Sequence, residues 1–255
     1  PPAQQRQTLL YSATMNSHVK KLANMTLKKD QRGDDSLFLY DACRLYDTAD
    51  NLDQFYMFIP HAVKDCYLYA LLNWMQNDKE NVDSSVICMV FFQNTKDCEL
   101  ACQTMKLLDI DCASLHSAKS QRERSSVLGR FRARKIKALF STDVANRGLD
   151  IPSVNFVINY DLPETTDRYV HRVGRTARAG RGGSAISLVS QYEITRLKSI
   201  EADTKLTLKN FATGKDFLNK DEVENQLYMV SEKRCRAKIE MLQNGFQENF
   251  ENVKN

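Results

Sequence analysis

Between residues 169 and 183 the chain reads YVHRVGRTARAGRGG, which sets Arg172, Arg175, Arg178 and Arg181 three apart among glycines and alanines. A guanidinium is planar, stays charged, and grips a phosphate through two parallel hydrogen bonds, which the ammonium of lysine cannot do. On a helix or its fraying end, residues three apart fall within a similar sector, so Arg172, Arg175 and Arg178 are expected to point the same way. Set against a terminal phosphate, an arginine pair would stabilise the charge that develops in phosphoryl transfer, an effect of about 10³ to 10⁵ in rate. Taken alone, the same row also suits a solvated helix face paired with Asp161, Glu164 and Asp167.

Three loops that follow predicted strands carry further candidates: QNTKD after Phe92, STDVANRGLDIP after Phe140 and DLPETTDRYVHRVGRTAR after Tyr160. Thr142 and Gly148 offer hydroxyl or backbone donors at close approach. Asp150 gives a carboxylate suited to a sugar hydroxyl, or a simple turn cap before Ile151-Pro152. His171 has no second His or Cys at ligand spacing, so no metal site is expected there.

These residues need a rigid scaffold, and the alternation of strand and helix supplies one. Strands are expected at 55–59, 86–92, 111–114, 136–141, 154–159 and 184–189, with helices over 61–75, 95–108 with Thr95 as its cap, 120–133 and 165–173. Strands too apolar for one-sided burial, alternating with helices, argue a parallel sheet covered on both faces, a doubly wound α/β domain. In such sheets ligands collect at the carboxyl ends of the strands. Residues 51–205 are read as this domain. Residues 1–50 hold only an expected strand at 9–11, a helix with Val19, Leu22, Ala23 and Leu27 on one side, and a strand at 36–40. That is too little to bury a core, so this piece is read as the tail of a preceding domain plus a linker, in a chain cut from a longer one. Residues 206–255 are read as a helical extension packing back on the domain through Val223, Leu227, Val230, Ile239, Leu242 and Phe246.

Composition narrows the class. The longest apolar run, Val86 to Phe92, is far shorter than a membrane span. Seven cysteines without a CxxC pair suggest reduced, intracellular thiols. Between His116 and Arg181 stand fourteen Lys or Arg and six Asp or Glu, a net +8 within a chain of formal charge +4. That concentration fits a polyanionic partner.

Ser12-Ala13-Thr14, Gln121-x-x-Arg124, TDVANRGLDIP and HRVGRTAR stand here in the order and spacing of the DEAD-box RNA helicases of superfamily 2, which the chain resembles from about Gln7 to Val189. The resemblance implies the C-terminal RecA-like domain of such an enzyme. The LHS at 115–117, RVGRTARAGRGG and a closing LKNF resemble more narrowly the Dbp8-like subgroup associated with small-subunit ribosome assembly. On that resemblance Arg175 and Arg178 are the fingers that meet the γ-phosphate of ATP, and His171 links that site to the first domain. Asp150 takes the ribose hydroxyls. Asn94, Gln121, Arg124, Thr142 and Gly148 touch the RNA backbone or support the loops that do, while Ser12 and Thr14 couple hydrolysis to strand separation. Asn146 stands where Ser or Ala is usual, which leaves the local bonding of Arg147 open.

The same resemblance implies ATP with Mg²⁺, the magnesium held mainly by the first RecA-like domain, RNA contacted through phosphate and sugar, a possible pre-ribosomal protein activator, no membrane, and a nuclear, nucleolar location. The chain offers no Walker A loop: its Gly214-Lys215 is followed by Asp216, with Lys209 where the first glycine belongs. DEVE at 221–224 matches a DEAD box only by letters, since no buried strand precedes it. The isolated chain is therefore expected to be inactive, half of a composite site. A non-enzymatic RNA-binding adaptor and a DNA-directed superfamily 2 helicase are the competing readings.

Overall fold

The structure is a computed structural model and describes residues 9–10, 19, 21–22, 25, 48, 51–77, 86–143, 151–178, 181–211 and 219–246. It divides into two compact units, Pro1–Asp47 and Thr48–Asn255. In the first, Val19, Lys21, Leu22 and Met25 are helical. Leu9 and Leu10 were expected in a buried strand, yet they lie outside any strand and are 63% and 46% exposed. No described strand is there to pair with them, and an unpaired strand leaves its backbone groups to water. Ser12, Thr14 and the expected strand at 36–40 lie outside the described residues.

The second unit is built on seven strands: β1 Leu52–Phe58, β2 Cys88–Phe92, β3 Cys112–Leu115, β4 Ala138–Thr142, β5 Phe156–Asn159, β6 Gly183–Val189 and β7 Lys209–Asn210. Their order across the sheet is β3-β4-β2-β5-β6-β1-β7, and every pair is parallel. The helices are α1 Lys64–Asn77, α2 Thr95–Lys106, α3 Gln121–Arg132, α4 Thr166–Val173, α5 Ile194–Thr204, α6 Lys220–Asn225 and α7 Leu227–Gln243. The chain leaves β4 on one side of β2 and enters β5 on the other, so the loops after β2, β4 and β5 meet where the strand order reverses.

Strand parity divides the core. Val90, Phe92, Phe140 and Ile158 face one layer, where Leu68 and Leu71 of α1, Cys98, Cys102 and Met105 of α2, and Val230 of α7 cover them. Met89, Phe91, Leu139 and Val157 face the other, under Leu128 and Phe131 of α3, Tyr169 and Val173 of α4, and Ile200 of α5. Every residue of β2 and β4 is buried, as a central parallel strand requires. Two ring stacks brace the middle: Phe92 lies 4.6 Å from Tyr160 and 5.5 Å from Phe140, each pair worth about 0.5–1.5 kcal/mol beyond its buried area.

Three expectations change. Asn94, rather than Thr95, caps α2, its side chain accepting from the Asp97 backbone N–H at 2.8 Å, while Thr95 is buried. A helix over Ile194–Thr204, which the apolar pattern does not mark, buries only Ile200 fully. In the C-terminal segment Val223, Val230 and Ala237 are buried, whereas Leu227, Ile239 and Leu242 are 39%, 55% and 50% exposed. The phase resets between α6 and α7, and Ile239, nine residues beyond Val230, falls about half a turn away from it. Among the described residues no helix is long and apolar enough to cross a membrane.

Candidate functional site

Helices α2, α3, α4 and α5 all begin at the carboxyl edge of the sheet, after β2, β3, β5 and β6. Asn94 caps α2, Ser120 closes a capping box with Glu123 on α3, and Thr165 caps α4. The exposed N–H groups of these first turns give the edge a positive potential. Asn94 is exposed. Gln121 opens α3 and is exposed, Arg124 is half-buried one turn on with Nη1 3.4 Å from Gln121 Oε1, and Thr142 closes β4 and is buried. These four predicted residues therefore follow or end three consecutive strands, β3, β4 and β2.

The arginine run divides. Helix α4 buries Thr166, Tyr169, Arg172 and Val173 on one face and stops at Gly174, so Arg175 and Arg178 lie beyond it and share no helical sector with Arg172. Arg172 is 1% exposed. Its Nε and Nη2 meet the two carboxylate oxygens of Asp143 at 2.6 and 2.9 Å. Its Nη1 donates to Asp161 O at 2.6 Å and Asn159 Oδ1 at 3.3 Å, and the guanidinium carbon sits 5.2 Å from the centre of the Phe91 ring. One side chain thus bolts together the ends of β2, β4 and β5. Sequence reasoning grouped Arg172 with its neighbours because it counted spacing. The available signal was the helical face it shares with Tyr169 and Val173.

Beyond Gly174 the chain turns along the amino ends of the strands. Arg175 O accepts from the Val154 backbone N–H at 3.1 Å, and Thr176 Oγ1 donates to Val154 O at 2.5 Å. Ala177 takes a left-handed φ of 53° and is buried. A Cβ on Gly183 would stand 2.0 Å from Thr176 Oγ1 and 2.7 Å from Ala177 N, so only glycine lets this loop seat on β6. Gly183→Ala should therefore cost roughly 1–3 kcal/mol and displace the loop. Gly129→Ala in α3, where nothing lies within 4 Å, should instead gain up to about 1 kcal/mol. Urea denaturation of the pair checks both signs, and equal stabilities would refute the packing argument.

On this fixed loop the two predicted fingers stand out chemically. Arg175 is half-buried, and its Nε is buried without a hydrogen-bond partner among the described residues. Burial, and then the charge of Arg178, lowers its pKa from the usual arginine value. Arg178 is exposed, its Nε donating to Gly174 O at 2.6 Å. Two adjacent guanidiniums, one partly desolvated, make a cradle for an anion. His171 is exposed in the last turn of α4. Gly148 and Asp150 lie outside the described residues, as do Asn146 and Arg147.

Two buried charge networks that spacing did not reveal hold the carboxyl edge. Lys64, fully buried, donates to Glu193 Oε2 at 2.6 Å and Tyr160 O at 2.7 Å, while Glu193 accepts from the backbone of Leu162 and Ser190. Glu99 Oε2 lies 2.6 Å from His116 Nε2 and accepts from Ser114 Oγ at 2.5 Å, with Lys119 at 3.6 Å. Burial works to raise the Glu99 pKa, but the bonds from His116 and Ser114 and the Lys119 charge bring it well below the usual carboxylate range. The central contacts, Lys64 with Glu193 and Glu99 with Ser114 and His116, each join residues more than ten apart, which no local pattern reports.

Residues 65–180 match the family described as the helicase conserved C-terminal domain. The ATP-dependent RNA helicase DBP8 of Yarrowia lipolytica is 37% identical over 249 residues, covering 97% of this chain and 53% of the relative. The probable ATP-dependent RNA helicase DDX49 of Homo sapiens is 37% identical, covering 92% and 46%. The chain thus spans about half the length of the curated relatives it matches. Among solved structures, S. cerevisiae Dbp5 bound to RNA and ADP BeF3 superposes with a TM-score of 0.66 at 25% identity, over 86% of this chain and 54% of that one. The C-terminal domain of the DEAD-box protein Dbp5 gives 0.58 at 29% identity, over 71% and 98%.

Proposed function

The chain belongs to the DEAD-box helicases, as a helicase conserved C-terminal domain, and from that premise we propose that it supplies the arginine-bearing half of an RNA-dependent ATPase that remodels RNA duplexes. The observation that carries the reading is the Arg175–Arg178 pair, set on a loop fixed by Thr176, Gly183 and the Arg172 bolt, with buried hydrogen-bonding capacity that no described residue uses. A cradle of that kind fits a polyphosphate. In this reading Arg175 and Arg178 reach the terminal phosphate of ATP held by a companion RecA-like domain, and stabilise the charge that builds on it as the phosphoryl group leaves. Asp150 takes the ribose hydroxyls, and His171, at the rim of α4, relays contact to the companion domain. Magnesium is held by that domain, where it would neutralise phosphate charge.

RNA lies along the carboxyl edge, against Asn94, Gln121, Arg124, Thr142 and Gly148, through phosphate and sugar; Ser12 and Thr14 couple turnover to strand separation. Met89, Phe91 and Phe92 are fully buried, so they offer no stacking platform. Cleft closure on both ligands would bend one strand, and hydrolysis would reopen the cleft. A role in ribosomal RNA processing, with a pre-ribosomal activator and a nucleolar location, is the finer form of the proposal. It rests on the resemblance of LHS, RVGRTARAGRGG and LKNF to the Dbp8-like subgroup.

Backbone-led binding has a salt signature. Single-stranded RNA should bind the chain weakly, and log affinity should fall linearly with log salt, by about 0.7 per phosphate neutralised. Arg124→Ala should reduce the slope by about one contact. Fluorescence anisotropy from 50 to 200 mM salt tests this, and an affinity flat across that range would exclude the phosphate contacts. Stimulation of the complete protein's ATPase by RNA but not by DNA would separate the reading from a DNA-directed helicase, and no turnover would favour an adaptor.

A further inference from the structure

On the face of the sheet away from α3 and α4, helices α2 and α7 enclose a trough lined by Lys96, Leu100, Lys238, Met241, Leu242 and Phe246. We infer that this trough is a docking site for an acidic amphipathic helix of a protein partner. Its floor is apolar: Leu100 is buried, Met241 and Phe246 are half-buried, and Leu242 is 50% exposed, with Ile239 beside it on α7 at 55%. Apolar side chains left open along a four-turn helix mark a surface that gains from being covered.

Charge selects the occupant. Lys96 and Lys238 are both exposed on the rim, and neither ion-pairs with a carboxylate among the described residues, whereas the neighbouring Arg234 and Arg236 pair with Asp65 and Glu240. A helix with leucine-like residues on one face and Asp or Glu on its flanks satisfies floor and rim together. RNA could satisfy the rim only, because it has no aliphatic surface for the floor. A second copy of this chain would bring Lys96 and Lys238 toward their own counterparts, and like charges repel.

The site goes beyond the ATPase reading, and one consequence rests on it. Lys96 lies in the first turn of α2, two residues after Asn94, and the Phe246 ring lies 6.1 Å edge-on from His116, which precedes α3 with Gln121 and Arg124. A helix seated in the trough therefore touches α2 directly and the His116 segment ahead of α3 only through Phe246, and is placed to tune the proposed RNA contacts that follow them.

The selection omits RNA and nucleotide, so its failure leaves the arginine reading untouched. Displayed helical peptides of about four turns are selected on the 255-residue chain, with counter-selection on a Lys238→Glu, Leu242→Asp variant. Enriched sequences should carry Leu, Phe or Met at helical spacing flanked by Asp or Glu. A synthetic example should shift the Leu100 and Met241 methyl resonances and bind Lys238→Glu about tenfold more weakly. Lys96→Glu, which alters only an exposed rim residue, should weaken it similarly and serves as the folding-neutral check. Winners without carboxylates, binding indifferent to both lysines, no enrichment, self-association of the chain lost in Leu242→Asp, or single-stranded RNA producing the same methyl shifts would each overturn the assignment.

Discussion

In the complete protein, Arg178→Ala should cut RNA-stimulated ATP turnover by about 10³- to 10⁵-fold, the range over which an arginine finger stabilises a phosphoryl-transfer transition state. The loss should fall on kcat, because in the proposed role the guanidinium meets charge that builds up in the transition state. Arg178 is exposed and makes one hydrogen bond from Nε, to Gly174 O, so the fold should lose no more than about 0.5 kcal/mol. Arg178→Lys keeps the charge but not the planar fork and should recover little of the rate. Single-turnover ATPase kinetics with saturating RNA, beside a urea melt, separates chemistry from folding. Turnover within threefold of wild type would remove Arg178 from the reaction.

Arg172→Ala should do the reverse, destabilising the domain by about 3–5 kcal/mol, because it leaves the Asp143 carboxylate without its partner in a largely closed site. It also strips Asp161 O and Asn159 Oδ1 of their donor and opens a large void under Phe91. Arg172→Lys cannot span acceptors from β4 and β5 with one ammonium and should keep only part of the stability. Equilibrium unfolding of the chain in urea measures both variants, and an Arg172→Ala midpoint equal to that of wild type would refute the bolt. Two arginines six residues apart in one run thus carry opposite expected consequences, one on rate and one on folding.

That contrast marks how far a sequence can be read. Residues 86–92 and 136–141 announced parallel strands because burial on both faces leaves no polar alternation, and they stand as Cys88–Phe92 and Ala138–Thr142. The helix expected over 120–133 stands as α3, and the structure starts it with a capping box of Ser120 and Glu123. Thr95, taken as a cap, is buried, and Asn94 does the capping; the two differ by one position, which hydrophobic periodicity does not resolve. Helix α5 escaped notice because it buries a single residue fully and so shows almost no apolar stripe.

By itself the sequence determined the α/β alternation, the family, and the residue types at each motif, because these depend on local pattern and on identities at fixed spacing. The tertiary structure decided which arginine turns inward, that Gly183 must lack a side chain, that Lys64 meets Glu193 and Glu99 meets His116, and which face of α7 stays open. Those outcomes arise from contacts between separate elements, where helix ends, sheet order and steric fit select the partners, and none of these is a property of a neighbouring residue.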